Sequence, residues 1–195
     1  MGTPKHLLQA GSTTWIERTA VLLSHVAQRV VISGPGDVPP SLAHLERAGD
    51  AREARGPMAG LLGCMRHVPQ AAWLVAACDL VDLDLPALRW LTRQRREGVW
   101  TVLPRLRRDA PLEPTLALYE PPARPLIARL AQEGQYRLAA LACDEHTRCP
   151  VVPPHLRHAW RNVNTPQELA ERRPPQSRRD ACGKDTEDTE KDIEY

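Results

Sequence analysis

The sequence contains no long apolar run, no phenylalanine and almost no net charge. No segment approaches the ~20 consecutive apolar residues that a membrane-spanning helix requires, so no membrane partner is expected. The first residues place no apolar stretch behind their charge, which argues against a secretory signal and indicates a cytoplasmic protein. A formal net charge of +2 lacks the strong basic excess typical of nucleic-acid-binding proteins. The expected class is therefore a cytoplasmic globular protein without a nucleic-acid partner.

The chain has five cysteines, an odd number at irregular spacing, so no disulfide framework is expected. In a chain without an export signal, reduced thiols are the expected state. The close set Cys143, His146 and Cys149 contains residue types that bind zinc. Because a second pair of ligands is missing, an ordinary loop is the favoured interpretation and a zinc site is the alternative.

Apolar runs alternate with amphipathic segments along most of the chain. Short apolar or β-branched runs predict strands at residues 30–32, 73–78, 99–103 and 115–119. Helical spacing of apolar residues predicts helices at residues 15–27, 59–67 and 124–133. Thr14 is the predicted N-cap of the first helix, and Pro86 suits the first turn of a further helix. The alternation predicts an α/β fold with a parallel sheet covered by helices on both faces.

The composition changes near residue 171. Residues 1–171 are predicted to form one domain, because apolar residues recur throughout that part. Residues 172–195 have mixed charge and almost no apolar side chain, so they cannot bury enough surface to offset the entropy of ordering. We predict a disordered charged tail there.

Asp79 directly follows the apolar run at residues 73–78, which is apolar on both faces, as is typical of a central parallel strand. Ligands of α/β sheets bind beyond the carboxyl ends of the strands, which places Asp79 at the mouth of the predicted site. A carboxylate there could bind Mg²⁺ and so help neutralise phosphate charge. From its position alone, a turn or helix N-cap is the favoured alternative. Asp82 and Asp84 could assist, although a solvated turn is favoured for both.

Three further segments are candidates for ligand binding. The segment Gly56-Pro57-Met58-Ala59-Gly60 precedes a predicted helix, so its backbone amides could meet a phosphate or a base edge. Lys5 is one of three lysines, and its ammonium suits a phosphate. Asn162 and Asn164 could bind a polar ligand through their amides. For the glycine-proline segment the alternative is an ordinary turn, and for Lys5 it is a solvated side chain. For the two asparagines the alternative is turn or capping chemistry.

These motifs follow one another in a characteristic order: Met1-Gly2 with Lys5, Asp50 before Gly56-Pro57-Met58-Ala59-Gly60, Ala77-Cys78-Asp79, and Asn162-Val163-Asn164-Thr165-Pro166. The order resembles that of the molybdenum cofactor guanylyltransferase family over about residues 1–171. The resemblance implies a three-layer Rossmann-like nucleotidyltransferase fold with a mostly parallel central sheet. It also implies an enzyme that transfers GMP from Mg²⁺-bound GTP to molybdopterin and releases pyrophosphate.

The resemblance also implies roles for single residues. Asp79 would bind Mg²⁺, and Lys5 would help to neutralise the triphosphate. Two further sets would bind the substrates: Asp50, Gly56, Pro57 and Gly60 around the base and ribose of the nucleotide, and Asn162 and Asn164 on the pterin side. Other proteins of molybdenum cofactor biosynthesis, or molybdoenzymes, would be further partners.

The sequence departs from the family pattern in two places. The family has a strand and a glycine-rich loop before the position of Lys5, and here the chain starts at the Met-Gly that would close that loop. The strand and loop are therefore absent from the sequence as given. A protein that begins further upstream is the favoured interpretation, because the remaining motifs are in order, and a degenerate copy of the family is the alternative. Glu113-Pro114 stands where some members carry His-Pro. Two alternatives follow: a cytidylyl- or other nucleotidyltransferase of the same fold, and a non-catalytic protein that binds pterin or a partner.

Overall fold

The computed structural model of the chain describes residues 4–163. Asn164 and the predicted tail at residues 172–195 lie outside this described part. Helices and strands alternate along the described chain, which confirms the α/β class. Within the same residues, no helix combines the length and apolar character needed to cross a membrane.

The described residues form four α-helices: α1 (Trp15–Ser24), α2 (Pro57–His67), α3 (Leu85–Thr92) and α4 (Ala123–Gln132). Thr14 caps α1, because its hydroxyl accepts the Glu17 N–H while the Glu17 carboxylate accepts the Thr14 N–H. This reciprocal capping box confirms the predicted start of the helix. Pro57 and Pro86 lie in the first turns of α2 and α3, where a missing N–H removes no helical hydrogen bond.

The N-terminal part contains two small sheets. Strands β1 (Gln9–Ala10) and β2 (Thr13–Thr14) form an antiparallel hairpin. Strands β3 (Val31–Ser33) and β4 (Glu46–Ala48) form a parallel pair, with Ile32 opposite Arg47. Helix α1 lies between β2 and β3 in the chain, and helix α2 contacts both β3 and β4.

The larger sheet has the strand order β5-β7-β6-β8. Its strands are β5 (Trp73–Ala76), β6 (Thr101–Val102), β7 (Leu116–Tyr119) and β8 (Thr147–Arg148). β7 is antiparallel to both β5 and β6, whereas β8 is parallel to β6. Three of the four strands therefore share one direction, but two of the three pairings are antiparallel, so this sheet is mixed. β7 runs the other way because no helix lies between β6 and β7 to form a crossover, so the chain returns as a hairpin.

The predicted position of β5 in the centre of a sheet is wrong. Within the described residues, β5 pairs with β7 alone and lies at one end of the four-stranded order. Its side chains are nevertheless covered on both faces, with Val75 in one apolar cluster and Leu74 and Ala76 in another. The apolar residues on both faces of β5 thus indicate that helices pack on both faces of the sheet. A strand at the end of a sheet can be covered in the same way.

The side chains of β7 alternate between two cores, and this alternation defines three layers. Ala117 and Tyr119 belong to a core with residues of α2 and α4, and Leu116 and Leu118 belong to a core with residues of α3. The second core also includes the 3₁₀ turn Pro154–Trp160. The β7 side chains that face each core are buried, so the sheet is the middle layer between two layers of helices.

Candidate active site

Asp79 follows β5 by three residues and is half-buried. Its backbone C=O accepts a hydrogen bond from the Val163 N–H at 3.1 Å. Val163 is buried and Asn162 is exposed. The end of β5 and the predicted Asn162 segment, far apart in the sequence, are therefore adjacent in the structure.

Lys5 lies in the 3₁₀ turn Lys5–Leu7. Its positive charge acts on the thiol of Cys78, the residue before Asp79. Burial raises the pKa of the Cys78 thiol, and the neighbouring Asp79 carboxylate raises that pKa further, while a backbone hydrogen bond and Lys5 act weakly in the opposite direction. Because both charges act on this one thiol, Lys5 and Asp79 each lie within electrostatic range of Cys78. Lys5, Asp79 and Asn162, all predicted from the sequence, therefore belong to one neighbourhood.

Asp50 and Gly60 form a second neighbourhood at the start of α2. The Ala51 N–H donates to the Ala59 C=O at 2.9 Å, which ties the segment after β4 to the helix. A Cβ atom added at Gly60 would lie 3.6 Å from Asp50 Oδ1 and 2.5 Å from Ser33 Oγ. The close contact is with the Ser33 hydroxyl, whereas the distance to the Asp50 carboxylate is an ordinary van der Waals contact, so Gly60 lies beside both side chains.

Gly56 and Pro57 set the entry into α2. Gly56 has φ +57°, a conformation that side chains with a Cβ atom rarely adopt, and it occupies the N-cap position without a side-chain hydrogen bond. Pro57 then begins the helix. Helix α2 contacts β3, β4 and β5, so it borders both neighbourhoods.

The acidic side chains after Asp79 have different roles. Asp84 Oδ1 accepts the Ala87 N–H at 2.9 Å and so caps α3, while Asp84 Oδ2 lies 2.8 Å from His158 Nε2. Asp84 is therefore a structural residue, as an N-cap aspartate would be. No three metal-ligating side chains group together within residues 4–163. Asp79 follows the end of β5 and, like Lys5, acts electrostatically on the Cys78 thiol.

His146, considered above as a zinc ligand, makes other contacts. Its ring stacks on Trp100 with centroids 3.7 Å apart and an interplanar angle of 5°. Its Nδ1 atom lies 3.2 Å from Asp144 Oδ1. These contacts account for its ring orientation without a metal ion.

Sequence reasoning missed several residues that border the site. Arg18 donates to the carbonyls of Val81 and Leu83, and Ser33 hydrogen-bonds the Cys64 thiol, on which the Asp50 carboxylate also acts. Their partners are distant in sequence, so no local pattern signals these contacts. The Ala77 N–H donates to the Thr115 C=O at 2.9 Å, which brings the Glu113-Pro114 segment alongside the end of β5. Burial raises the pKa of Glu113.

Solved structures share this arrangement of sheet and helices. Molybdopterin-guanine dinucleotide biosynthesis protein A from Archaeoglobus fulgidus superposes with a TM-score of 0.65 at 22% identity, covering 87% of this chain and 88% of that chain. A 2-C-methyl-D-erythritol 4-phosphate cytidylyltransferase from Thermus thermophilus gives a TM-score of 0.63 at 16% identity, with 86% and 91% covered. The fold is thus the Rossmann-like α/β fold of nucleotidyltransferases, as the resemblance implied.

The family follows from the sequence match. The family model of the MobA-like NTP transferase domain matches residues 1–149, and the chain belongs to this family of nucleotidyltransferases. A Bacillus cytotoxicus protein named "Probable molybdenum cofactor guanylyltransferase" is 24% identical over 179 residues, covering 87% of this chain and 88% of its own. A Pelotomaculum thermopropionicum protein of the same name is 28% identical over 185 residues, with 89% and 85% covered.

Proposed function

We propose that this chain transfers GMP from Mg²⁺-bound GTP to molybdopterin with release of pyrophosphate. The observation that carries the proposal is the hydrogen bond from the Val163 N–H to the Asp79 C=O, in a chain of the MobA-like family. It joins the backbone of Val163, the neighbour of Asn162, to the backbone of Asp79, so a group proposed for the acceptor and one proposed for the metal would lie close together. Such adjacency is what a transfer between two bound substrates requires.

The residues near Asp79 suit a magnesium-bound triphosphate. Mg²⁺ is commonly held by one or two carboxylates together with substrate phosphates, so a single half-buried aspartate fits such an ion. The raised pKa of Cys78 keeps that neighbour uncharged at neutral pH. Lys5 contributes positive charge within electrostatic range of the same thiol. When bound, the ion would help to neutralise the phosphoryl oxygens, and Asp79 and Lys5 orient the triphosphate.

The remaining candidates divide between the two substrates. Asp50, Gly56, Pro57 and Gly60 would bind the base and ribose, because they line the start of α2. Asn162 and Asn164 would contact the pterin. In this proposal the protein works in the cytoplasm, and molybdoenzymes or other proteins of cofactor biosynthesis receive its product.

The test is the release of pyrophosphate from GTP in the presence of Mg²⁺ and molybdopterin. Asp79→Asn should lower the rate by about 100-fold or more, because a metal carboxylate contributes several kcal/mol to the transition state. Asp144→Asn is the matched control, since Asp144 is also half-buried but contacts His146. Equal rates for Asp79→Asn and the unaltered protein would refute the role of Asp79.

A cytidylyltransferase is the second candidate, since the Thermus thermophilus structure carries that name. The same assay with CTP and ATP in place of GTP decides between the nucleotides. Turnover with CTP alone would replace the guanylyl assignment. Binding of molybdopterin without turnover of any nucleotide would favour the non-catalytic alternative.

A further inference from the structure

The segment that leaves Asp79 is held in place from three distant parts of the chain. Its leucines Leu80 and Leu83 are fully buried, and the Leu83 N–H donates to the Leu80 C=O at 3.0 Å. Val163 binds the Asp79 carbonyl at the start of the segment, and His158 contacts Asp84 at its end. The third anchor is Arg18.

Arg18 reaches the middle of this segment from helix α1. Its two terminal guanidinium nitrogens donate to the C=O groups of Val81 and Leu83 at 2.5 and 2.7 Å. A guanidinium is planar and presents its donors in a fixed fork, so two simultaneous bonds define the direction as well as the distance of the two carbonyls.

The base of the Arg18 side chain is itself fixed. Trp15, one turn earlier in α1, is 2% exposed. The Thr14–Glu17 capping box holds the first turn of the same helix. Arg18 therefore connects a rigid helix to the segment that begins at Asp79.

We propose that Arg18 is a positioning residue, which orients the Asp79 carboxylate by holding the carbonyls of Val81 and Leu83. The assignment rests on the proposed nucleotidyl transfer. The buried leucines and the Asp84 cap already attach the segment to the core, so the fork of Arg18 adds orientation rather than attachment. Groups that orient a metal ligand typically change metal affinity or activity by about 10- to 100-fold when they are removed.

The experiment compares Arg18→Ala and Arg18→Lys with the unaltered full chain. In Arg18→Ala, the Mg²⁺ concentration for half-maximal pyrophosphate release from GTP should rise by about 10- to 100-fold. The KM for molybdopterin should stay constant. Arg18→Lys should be intermediate, because an ammonium keeps the charge but lacks the fork. Millimolar guanidinium chloride should partly restore Arg18→Ala, and the same concentration of KCl should not.

Two measurements do not depend on turnover. Amide hydrogen exchange at residues 80–84 should be faster in Arg18→Ala, while exchange in α1 stays the same. Binding of Mn²⁺ with GTP, followed by electron paramagnetic resonance, should weaken by the same factor as the Mg²⁺ dependence. Arg148→Ala is the matched control, because Arg148 donates to the Gln94 C=O at 3.3 Å on another segment. It should change none of these quantities.

The outcomes separate the two proposals. Faster exchange with unchanged Mg²⁺ and Mn²⁺ dependence would make Arg18 merely structural and overturn its assignment. If the unaltered chain binds Mn²⁺ with GTP but releases no pyrophosphate, the proposed function fails. The role of Arg18 is then judged by whether Arg18→Ala weakens Mn²⁺ binding. If the unaltered chain binds neither, both proposals fail. If Arg18→Ala does not fold, Arg18→Lys carries the comparison.

Discussion

Two glycines on one face of α2 allow the helix to approach the strands beside it. A Cβ atom at Gly63 would lie 1.9 Å from the carbonyl oxygen of Gly49, which belongs to the backbone. A Cβ atom at Gly60 would lie 2.5 Å from Ser33 Oγ, which belongs to a side chain. The first clash can be relieved only by moving the helix or the chain after β4. The second can be relieved at Ser33.

We therefore predict different effects for two identical substitutions. Gly63→Ala should lower the free energy of unfolding by about 1–3 kcal/mol or more, because it overpacks against backbone. Gly60→Ala should also destabilise the protein, but adding Ser33→Ala should reverse this effect, since alanine gains about 1 kcal/mol over glycine within a helix. Urea unfolding of the single and double variants measures both. The prediction for Gly63 is contradicted if Ser33→Ala rescues Gly63→Ala equally well.

Single residues also show where local prediction succeeds. Thr14 and Pro86 were placed correctly, because an N-cap and a first-turn proline act on backbone groups of their own helix. Arg18 and His158 were missed, because their partners lie 63 to 74 residues away. Nothing in the sequence near Arg18 distinguishes it from a solvated helical arginine.

At the scale of elements, a side-chain hydrogen bond joins β7 to the loop before it. Tyr119 ends β7, is fully buried, and donates its hydroxyl to the Pro114 C=O at 2.8 Å. Burial raises the pKa of this phenol, so the hydroxyl remains a donor at all ordinary pH values. The bond ties β7 to the Glu113-Pro114 segment beside β5.

We predict that Tyr119→Phe lowers the free energy of unfolding by about 1 kcal/mol, with somewhat more if the Pro114 carbonyl stays buried without a donor. Tyr136→Phe is the control, since it removes a hydroxyl but keeps the ring beneath Arg55. The two variants are compared by urea unfolding at constant pH. Equal stability of Tyr119→Phe and Tyr136→Phe would show that the bond contributes nothing measurable.

At the scale of the whole molecule, carboxylates act on stability in two opposite directions. Ser41 and the Thr14 groups lower the pKa of Glu17, and Arg29 with His67 lowers the pKa of Glu46. The stability that these residues contribute is present above the ordinary carboxyl pKa and is lost as the pH falls. Glu113 is the reverse case, because burial raises its pKa. Its protonated form contributes stability at low pH. That contribution is lost as the pH rises through the raised pKa of the folded state.

Glu113→Gln should therefore raise the thermal midpoint at pH 7, because burial penalises the charged form of this carboxyl and glutamine carries no charge. The difference should shrink as the pH falls and vanish below about 4, where the unfolded chain is also protonated. The exposed Glu97→Gln is the control and should leave the midpoint unchanged at both values. A stabilisation by Glu113→Gln that is equal at low and neutral pH would contradict the charge explanation.

Patterns within short segments were enough to predict the α/β class, the start of α1 and the position of Asp79 just after a strand. These features depend on hydrophobic period, capping and proline, which act over one or two turns of chain. The order of motifs was enough for the family. The sequence did not reveal that β5 ends the larger sheet, that β7 runs against its neighbours, or that Asp79 meets Val163. Those contacts join segments far apart in the chain, and only the packing of both cores around the sheet brings them together.

The same division applies to the segment after Asp79. Its acidic residues are visible in the sequence, but their separate roles are not. Asp84 caps a helix and contacts His158, whereas Asp79 acts with Lys5 on the Cys78 thiol. The local sequence supplies the carboxylates, and the contacts of Arg18, His158 and Val163, which reach the segment only after the chain has folded, hold its backbone and the Asp84 side chain in place.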